Sequence, residues 1–281
     1  MDSGISRWRG TMNRMRRAWG NLLFFVMTLI INTLGATGWI NGMTQKDISD
    51  KFLTLITPAP STFSIWSVIY SLLLASLIVM IIKKEDPYYQ NALEQISGLF
   101  MISCVLNMLW IITFSFVLVE ISVIFIAGFV VVLTMICRKL LEIRQGKHWL
   151  LPICFGLYSG WLFIATVVNV AAALVKLQWK GFGLTPQTWA MIMLLVAIVL
   201  VAGVVLLIKN AVFPLSIAWA YLGINRFLIS SDGFQGAYPA LQMIAIIGAA
   251  VLVIMAVAVF IRNGFWILPD AEKKEQEENI N

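Results

Sequence analysis

Charged residues are scarce in this sequence and nearly absent from its long apolar stretches. Only 12% of the 281 residues are charged, whereas 60% are hydrophobic and the mean hydropathy is +0.89. A soluble domain of this length would leave much of that apolar surface in water. The composition therefore argues against an ordinary soluble protein and predicts an integral membrane protein.

The residue types that usually carry catalysis or metal binding are also few. The chain has one histidine, His148, and three cysteines, Cys104, Cys137 and Cys154, without CxxC spacing. It contains no P-loop, HExxH, GxSxG or paired-carboxylate pattern. The cysteines fall in or beside apolar runs and are typical of small buried side chains. Hydrolysis, and proton-coupled transport through buried carboxylates, are therefore disfavoured.

What the sequence does contain is a series of continuous apolar runs, which favours membrane-spanning helices over a β-barrel with its alternating segments. We predict an all-α, polytopic bundle of about eight spans. The third and fourth runs are separated only by Glu120, so a tight turn near residues 118–122 is required. The seventh run is interrupted by Pro214, Gly223 and Arg226. The runs are roughly 21–42, 62–82, 96–117, 120–137, 149–175, 188–208, 211–229 and 239–261.

Basic residues are distributed unequally between the two ends of these spans. If the N-terminus is cytoplasmic, the outer segments hold five of the 20 lysines and arginines, which leaves 15 inside. The positive-inside rule therefore predicts that both termini are cytoplasmic. The five outer residues are Lys46, Lys51, Lys176, Lys180 and Arg226.

The same distribution predicts the surroundings of the chain. Basic residues placed between apolar runs indicate topology and contact with the lipid bilayer, so nucleic acid is not an expected partner. We expect a basic cytoplasmic segment at 1–19 and a disordered charged tail at 266–281. The arginine-rich start predicts a multi-pass protein of the plasma membrane.

Three tryptophans within spans, Trp66, Trp110 and Trp161, each share a helical face with a polar or aromatic side chain. Two interpretations remain open. The amides could form interhelical hydrogen bonds and the indoles could fill gaps in the bundle. Alternatively, the group could line a pocket for a flat, largely apolar ligand with polar edges. The pairs are Trp66 with Tyr70, Asn107 with Trp110, and Trp161 with Asn169.

These residues belong to three ordered motifs that resemble a known family. A proline-containing segment, residues 57–60, precedes a Trp-x3-Tyr step; an Asn-x-Leu-Trp motif is followed by Phe; and a Trp-x3-Ala-x3-Asn motif lies on the fifth run. Together they resemble the TspO/MBR family, the tryptophan-rich sensory proteins related to the translocator protein (peripheral benzodiazepine receptor). The candidate site residues that the resemblance implies are Trp66, Tyr70, Asn107, Trp110, Phe114, Trp161, Ala165 and Asn169.

The resemblance implies a five-helix membrane domain at 20–180, and residues 181–265 would be a three-helix membrane extension of the long form. It also implies binding of a tetrapyrrole such as protoporphyrin or haem as a ligand, with no cofactor required. The loop between the first two spans would cover the pocket, although residues 42–55 lack the tryptophan or tyrosine usual in compact members. Homodimers are common in the family.

The leading functional prediction is therefore a membrane binding or sensory protein for a tetrapyrrole-like or other flat apolar ligand, with a regulatory role. The alternative is a small-solute membrane transporter, in which Pro214 and Gly223 would mark a broken helix. A porphyrin-modifying enzyme ranks third, because no acid, base or metal site is recognisable.

Overall fold

A computed structural model gives the structure of residues 2–269, with side chains described from residue 13 onward. Within this range the chain forms nine α-helices, two short 3-10 helices (Pro60–Ser64 and Gly181–Gly183) and no strand, which confirms the predicted all-α class. The α-helices are α1 Asp2–Ala36, α2 Gln45–Lys51, α3 Ile65–Ile82, α4 Pro87–Ser115, α5 Val119–Glu142, α6 Leu150–Lys176, α7 Pro186–Ile208, α8 Phe213–Ile229 and α9 Pro239–Arg262.

Every predicted span corresponds to a helix, and the chain is a multi-pass membrane protein. Seven helical segments of the described residues are long and apolar enough to cross a bilayer, namely those built on α1, α3, α4, α5, α6, α7 and α9. The eighth, α8, has 17 residues. At about 1.5 Å per residue it is roughly 25 Å long, close to the lower limit for a span.

Most residues of helix α8 are buried against the rest of the protein. Pro214 lies in the first turn of the helix. The N–H groups of a first turn have no acceptor within the helix, so the absence of this group in proline does not interrupt the helix. Gly223 lies where another segment of the chain comes very close. Pro214 and Gly223, which interrupt the apolar run in the sequence, therefore have structural roles: Pro214 starts the helix and Gly223 allows close packing.

Helices α6 and α8 meet through small residues spaced one turn apart. A Cβ atom added at Gly160 would lie 2.2 Å from the carbonyl oxygen of Phe213 and 2.3 Å from Oγ of Ser216. One added at Gly156 would lie 2.6 Å from Oδ1 of Asn210. In a bilayer, where lipid is as apolar as leucine, such close backbone approach is a main source of helix association.

Helices α1 and α4 run parallel, and polar side chains bridge them at regular intervals. Each bridge joins residues 74–76 positions apart, as expected for parallel helices in a constant register. Helix α1 is continuous from Asp2 to Ala36 and extends across the predicted boundary at residue 19. The bridges from α1 are Arg14 to Gln90 (2.8 Å), Asn21 to Ser97 (2.9 Å) and Asn32 to Asn107 (2.6 Å), and Asn41 in the loop after α1 continues the series with a bond to the Ser115 carbonyl (3.3 Å).

Helices α1 to α6 precede residue 180 and helices α7, α8 and α9 follow it, in the segments predicted as a five-helix part and a three-helix extension. The two parts nevertheless share one hydrophobic core, with Trp161 of α6 and Ile217 of α8 in the same cluster. At the C-terminus, Ile267 and Leu268, which fall within the predicted tail 266–281, are buried. The rest of that predicted tail, 270–281, lies outside the described residues.

The turn between α4 and α5 lies at residues 116–118, slightly before the predicted position. Val117 adopts a left-handed backbone conformation with φ of 60°. Glu120 therefore belongs to the first turn of α5, where its carboxylate accepts a hydrogen bond of 2.6 Å from Nζ of Lys176. This ion pair joins the start of α5 to the end of α6.

The close contact between α6 and α8 predicts unequal effects of the same substitution at two glycines. Gly160→Ala should lower the stability of the protein by about 1–3 kcal/mol, because the methyl group would collide with the α8 backbone. Gly203→Ala in α7 has open space around it and should be neutral or slightly stabilising. Thermal unfolding of both variants in detergent measures the difference, and equal midpoints would contradict the packing described.

Candidate ligand-binding site

A cavity of about 410 Å³ lies between α2, the first 3-10 helix, α3, α4, α6 and α8. Its volume is within the range of small-molecule sites. Charged and polar side chains of α2 line one part, and aromatic and aliphatic side chains line the rest. The lining residues are Ala36, Gln45, Lys46, Ser49, Asp50, Phe52, Thr57, Pro58, Pro60, Phe63, Trp66, Trp110, Ile111, Phe114, Trp161, Ile164, Ala165, Val168, Asn169, Ala172 and Phe227.

Most of the predicted site residues line this one cavity. Two do not. Tyr70 lies behind Trp66 and stacks on it, with ring centroids 5.1 Å apart. Asn107 is fully buried and joins helices, accepting a hydrogen bond from Asn32 and donating one of 3.4 Å to the hydroxyl of Tyr158. The predicted residues that do line the cavity are Trp66, Trp110, Phe114, Trp161, Ala165 and Asn169.

Trp66 is the centre of the aromatic wall. Its ring centroid lies 6.5 Å from that of Trp110, 6.2 Å from that of Trp161 and 6.0 Å from that of Tyr158. The contacts with Trp161 and Tyr158 are edge-to-face, an arrangement that aromatic pairs favour. Rings packed on one another in this way present large apolar surfaces whose orientation is determined before any ligand arrives.

The amide of Asn169 is used within the protein. Its Oδ1 accepts a hydrogen bond of 3.2 Å from Nε1 of Trp110, and its Nδ2 donates one of 2.9 Å to Oγ of Ser122. Asn169 therefore links α4, α5 and α6 and orients the Trp110 ring at the cavity. For Asn107 and Asn169 the interhelical interpretation of the sequence holds, whereas the three tryptophans line a pocket.

Helix α2 forms the part of the first loop that lines the cavity, as the resemblance implied. It is anchored by Ile48, which is 0% exposed and packs with Val119, Ala172 and Ala173. An added Cβ at Gly35 would lie 2.8 Å from Nε2 of Gln45, so glycine at this position allows α2 to approach α1 closely.

The charges at this end of the cavity are paired within α2. Lys46 forms an ion pair with Asp50 one turn later, and that carboxylate raises the pKa of Lys46 above its ordinary value. Asp47 accepts hydrogen bonds from the backbone N–H and the hydroxyl of Thr44, which lower the pKa of Asp47. Both groups therefore remain charged near neutral pH, and Thr44 with Asp47 caps the start of α2.

Two kinds of lining residue were missed by the sequence analysis. Phe63 lies on the 3-10 helix with its ring edge-on to Trp161, at a centroid distance of 5.7 Å. Phe227 comes from α8, in the predicted extension. A signal for Phe227 exists in the sequence, since Trp219, Gly223 and Phe227 follow one another at four-residue intervals and share a face of α8.

The comparisons with known proteins identify one family. The family model described as TSPO-like protein matches residues 18–258, which includes α2 to α8 and most of α9. The match therefore extends over both the five-helix part and most of the extension. Comparison with curated proteins and with solved structures gives no match. Among the described residues, no group of three or more His, Cys, Asp or Glu side chains could hold a metal ion.

The hydrogen bond from Trp110 to Asn169 predicts energetic coupling between these side chains. Asn169→Leu and Trp110→Phe should be non-additive by about 0.6–2 kcal/mol, because either change removes the same interhelical bond. A double-mutant cycle by thermal unfolding measures the coupling. Thr166→Val on the same helix is the control, since that hydroxyl donates only to the Leu162 carbonyl of its own helix. If the two stability changes were strictly additive, the hydrogen bond would make no contribution to the stability of the protein.

Proposed function

Because the chain belongs to the TSPO-like protein family, whose members are membrane proteins with binding or sensory roles, we propose that its cavity binds a flat, largely apolar ligand of the tetrapyrrole type. Binding of this ligand would serve a regulatory role. The observation that carries the proposal is the aromatic wall of Trp66, Trp110 and Trp161 around a cavity of about 410 Å³.

The shape and chemistry of the wall support a planar ligand. Indole rings offer broad apolar faces, and a conjugated macrocycle can stack on one ring while meeting another edge-on. Ala165 and Val168 of α6 also line the cavity, and their short side chains leave room for a planar ligand. A chain-like apolar ligand would make less use of three large rings.

The polar atoms of the lining support a ligand with hydrogen-bond acceptors at its edge. Lys46 and Ser49 of α2 supply side-chain hydrogen-bond donors to the lining. A ligand that places acceptors beside α2 can form hydrogen bonds with these groups. Lys46 adds a cation on α2. Carboxylate groups at the edge of a tetrapyrrole have this acceptor character.

The orientation that we propose from the charge asymmetry determines on which side of the membrane the cavity lies. The cavity lies near the C-terminal ends of α1, α4, α6 and α8. If the N-terminus is cytoplasmic, these ends are on the outer side of the membrane. With both termini in the cytoplasm of a plasma-membrane protein, α2 and the cavity would lie toward the outer face. The ligand would then enter from that face or from the outer leaflet.

Titration with protoporphyrin tests the proposed function. Quenching of tryptophan fluorescence in lipid nanodiscs should show saturable binding, and Trp66→Ala should weaken it about tenfold, because one aromatic contact of about 1.4 kcal/mol is lost. Trp149→Ala is the matched control, since Trp149 precedes α6 at the end of the helix remote from the cavity. Equal affinities of the two variants would overturn the assignment, and binding without flux in proteoliposomes separates a sensor from a transporter.

A further inference from the structure

We propose that helix α8 of the C-terminal extension is a wall of the binding cavity and that Phe227 determines the size of the ligand that the cavity accepts. The identity of the ligand rests on the proposed function, whereas the role of α8 as a wall rests on the geometry alone. Nothing in the motifs of the five-helix part assigns such a role to the extension.

The first argument is that α8 holds the segment that closes one side of the cavity. The backbone N–H of Ala59 donates to the carbonyl of Gly223 at 3.0 Å. Nε1 of Trp219 donates to the carbonyl of Thr62 at 2.9 Å. An added Cβ at Gly223 would lie 2.1 Å from Oγ1 of Thr62, so the 3-10 helix rests directly on the α8 backbone. These contacts position Pro60 and Phe63, both of which line the cavity.

The second argument is that α8 also lines the cavity directly. Phe227 follows Gly223 by one turn on the same face, and its side chain is 7% exposed. Its ring meets Phe234 of the α8–α9 loop edge-on, at a centroid distance of 5.7 Å. The Phe227 carbonyl also accepts a hydrogen bond of 3.2 Å from the backbone N–H of Phe234. The ring is therefore supported from behind by the extension.

The third argument is that α8 itself is rigidly placed. Close packing at Gly160 leaves no space for α8 to move toward α6, and Nε1 of Trp219 holds it to the 3-10 helix. Phe227 therefore occupies a defined position relative to Trp161, which lies one residue after Gly160. Truncating the Phe227 ring enlarges the cavity instead of letting α8 collapse into it.

Two measurements on Phe227→Ala test the proposal. In nanodiscs, a cysteine placed at Ala165 reports access to the cavity through its rate of reaction with a small methanethiosulfonate reagent, against a background of three buried native cysteines. We expect faster modification when Phe227→Ala is added. Leu222→Ala is the control, because Leu222 is 45% exposed on the outer surface of the same helix.

In the second measurement, protoporphyrin is compared with the larger tetra(carboxyphenyl)porphyrin. Phe227→Ala should bind protoporphyrin about tenfold more weakly than the unmodified protein and should bind the larger porphyrin more tightly. Phe227→Leu should show the same direction to a smaller degree, which protects the test if the alanine variant does not fold. Leu222→Ala should change neither affinity.

The two proposals fail in different ways. If the unmodified protein binds neither porphyrin, the proposed ligand class is wrong, and the cysteine modification rate alone decides whether α8 is a wall. If porphyrin binds but Phe227→Ala and Leu222→Ala give equal modification rates and equal selectivity, the role of Phe227 is overturned while the proposed function stands.

Discussion

The contact between the α6 backbone at Gly160 and the α8 backbone at Phe213 is the constraint on which the rest of the site depends. Helix α6 has the largest buried share of the seven longer candidate spans, 61% of its apolar window compared with 39% or less for the other six. It carries Trp161, Ala165 and Asn169 into the cavity. Because α8 is held against it without an intervening side chain, the aromatic wall and the extension form a single unit.

The polar side chains inside this bundle follow from the lipid environment. An amide in hydrocarbon needs partners within the protein, and a helix bundle supplies them from neighbouring helices. Asn107 and Asn169 satisfy this requirement, and each orients an aromatic residue in doing so, Tyr158 for the first and Trp110 for the second. At Asn169, packing and a place at the cavity are therefore not alternatives, because its amide holds the Trp110 ring that lines the cavity. Asn107 acts further from the cavity, through Tyr158, whose ring meets Trp66 edge-on.

The candidate site was partly predictable. Trp66, Trp110 and Trp161 lie within spans and one turn or two from a polar or aromatic partner, so their convergence could be expected from helical periodicity and motif order. Tyr70 was expected at the cavity for the same reason, but it lies behind Trp66, since spacing specifies a helical face and not a depth. Phe63 and Phe227 were not predicted, because helical spacing places Phe227 on one face with Gly223 but does not specify which distant segment lies beside that face.

The sequence by itself determined the membrane class, the helical architecture and the approximate limits of the spans, because these depend on local hydrophobicity and on the bilayer thickness. It also contained the three tryptophan motifs. Only the tertiary structure decided that α8 closes the cavity and that Gly160 allows it to do so. Those features depend on contacts between residues far apart in the chain, such as Trp219 with Thr62, whose pairing is a property of the folded bundle.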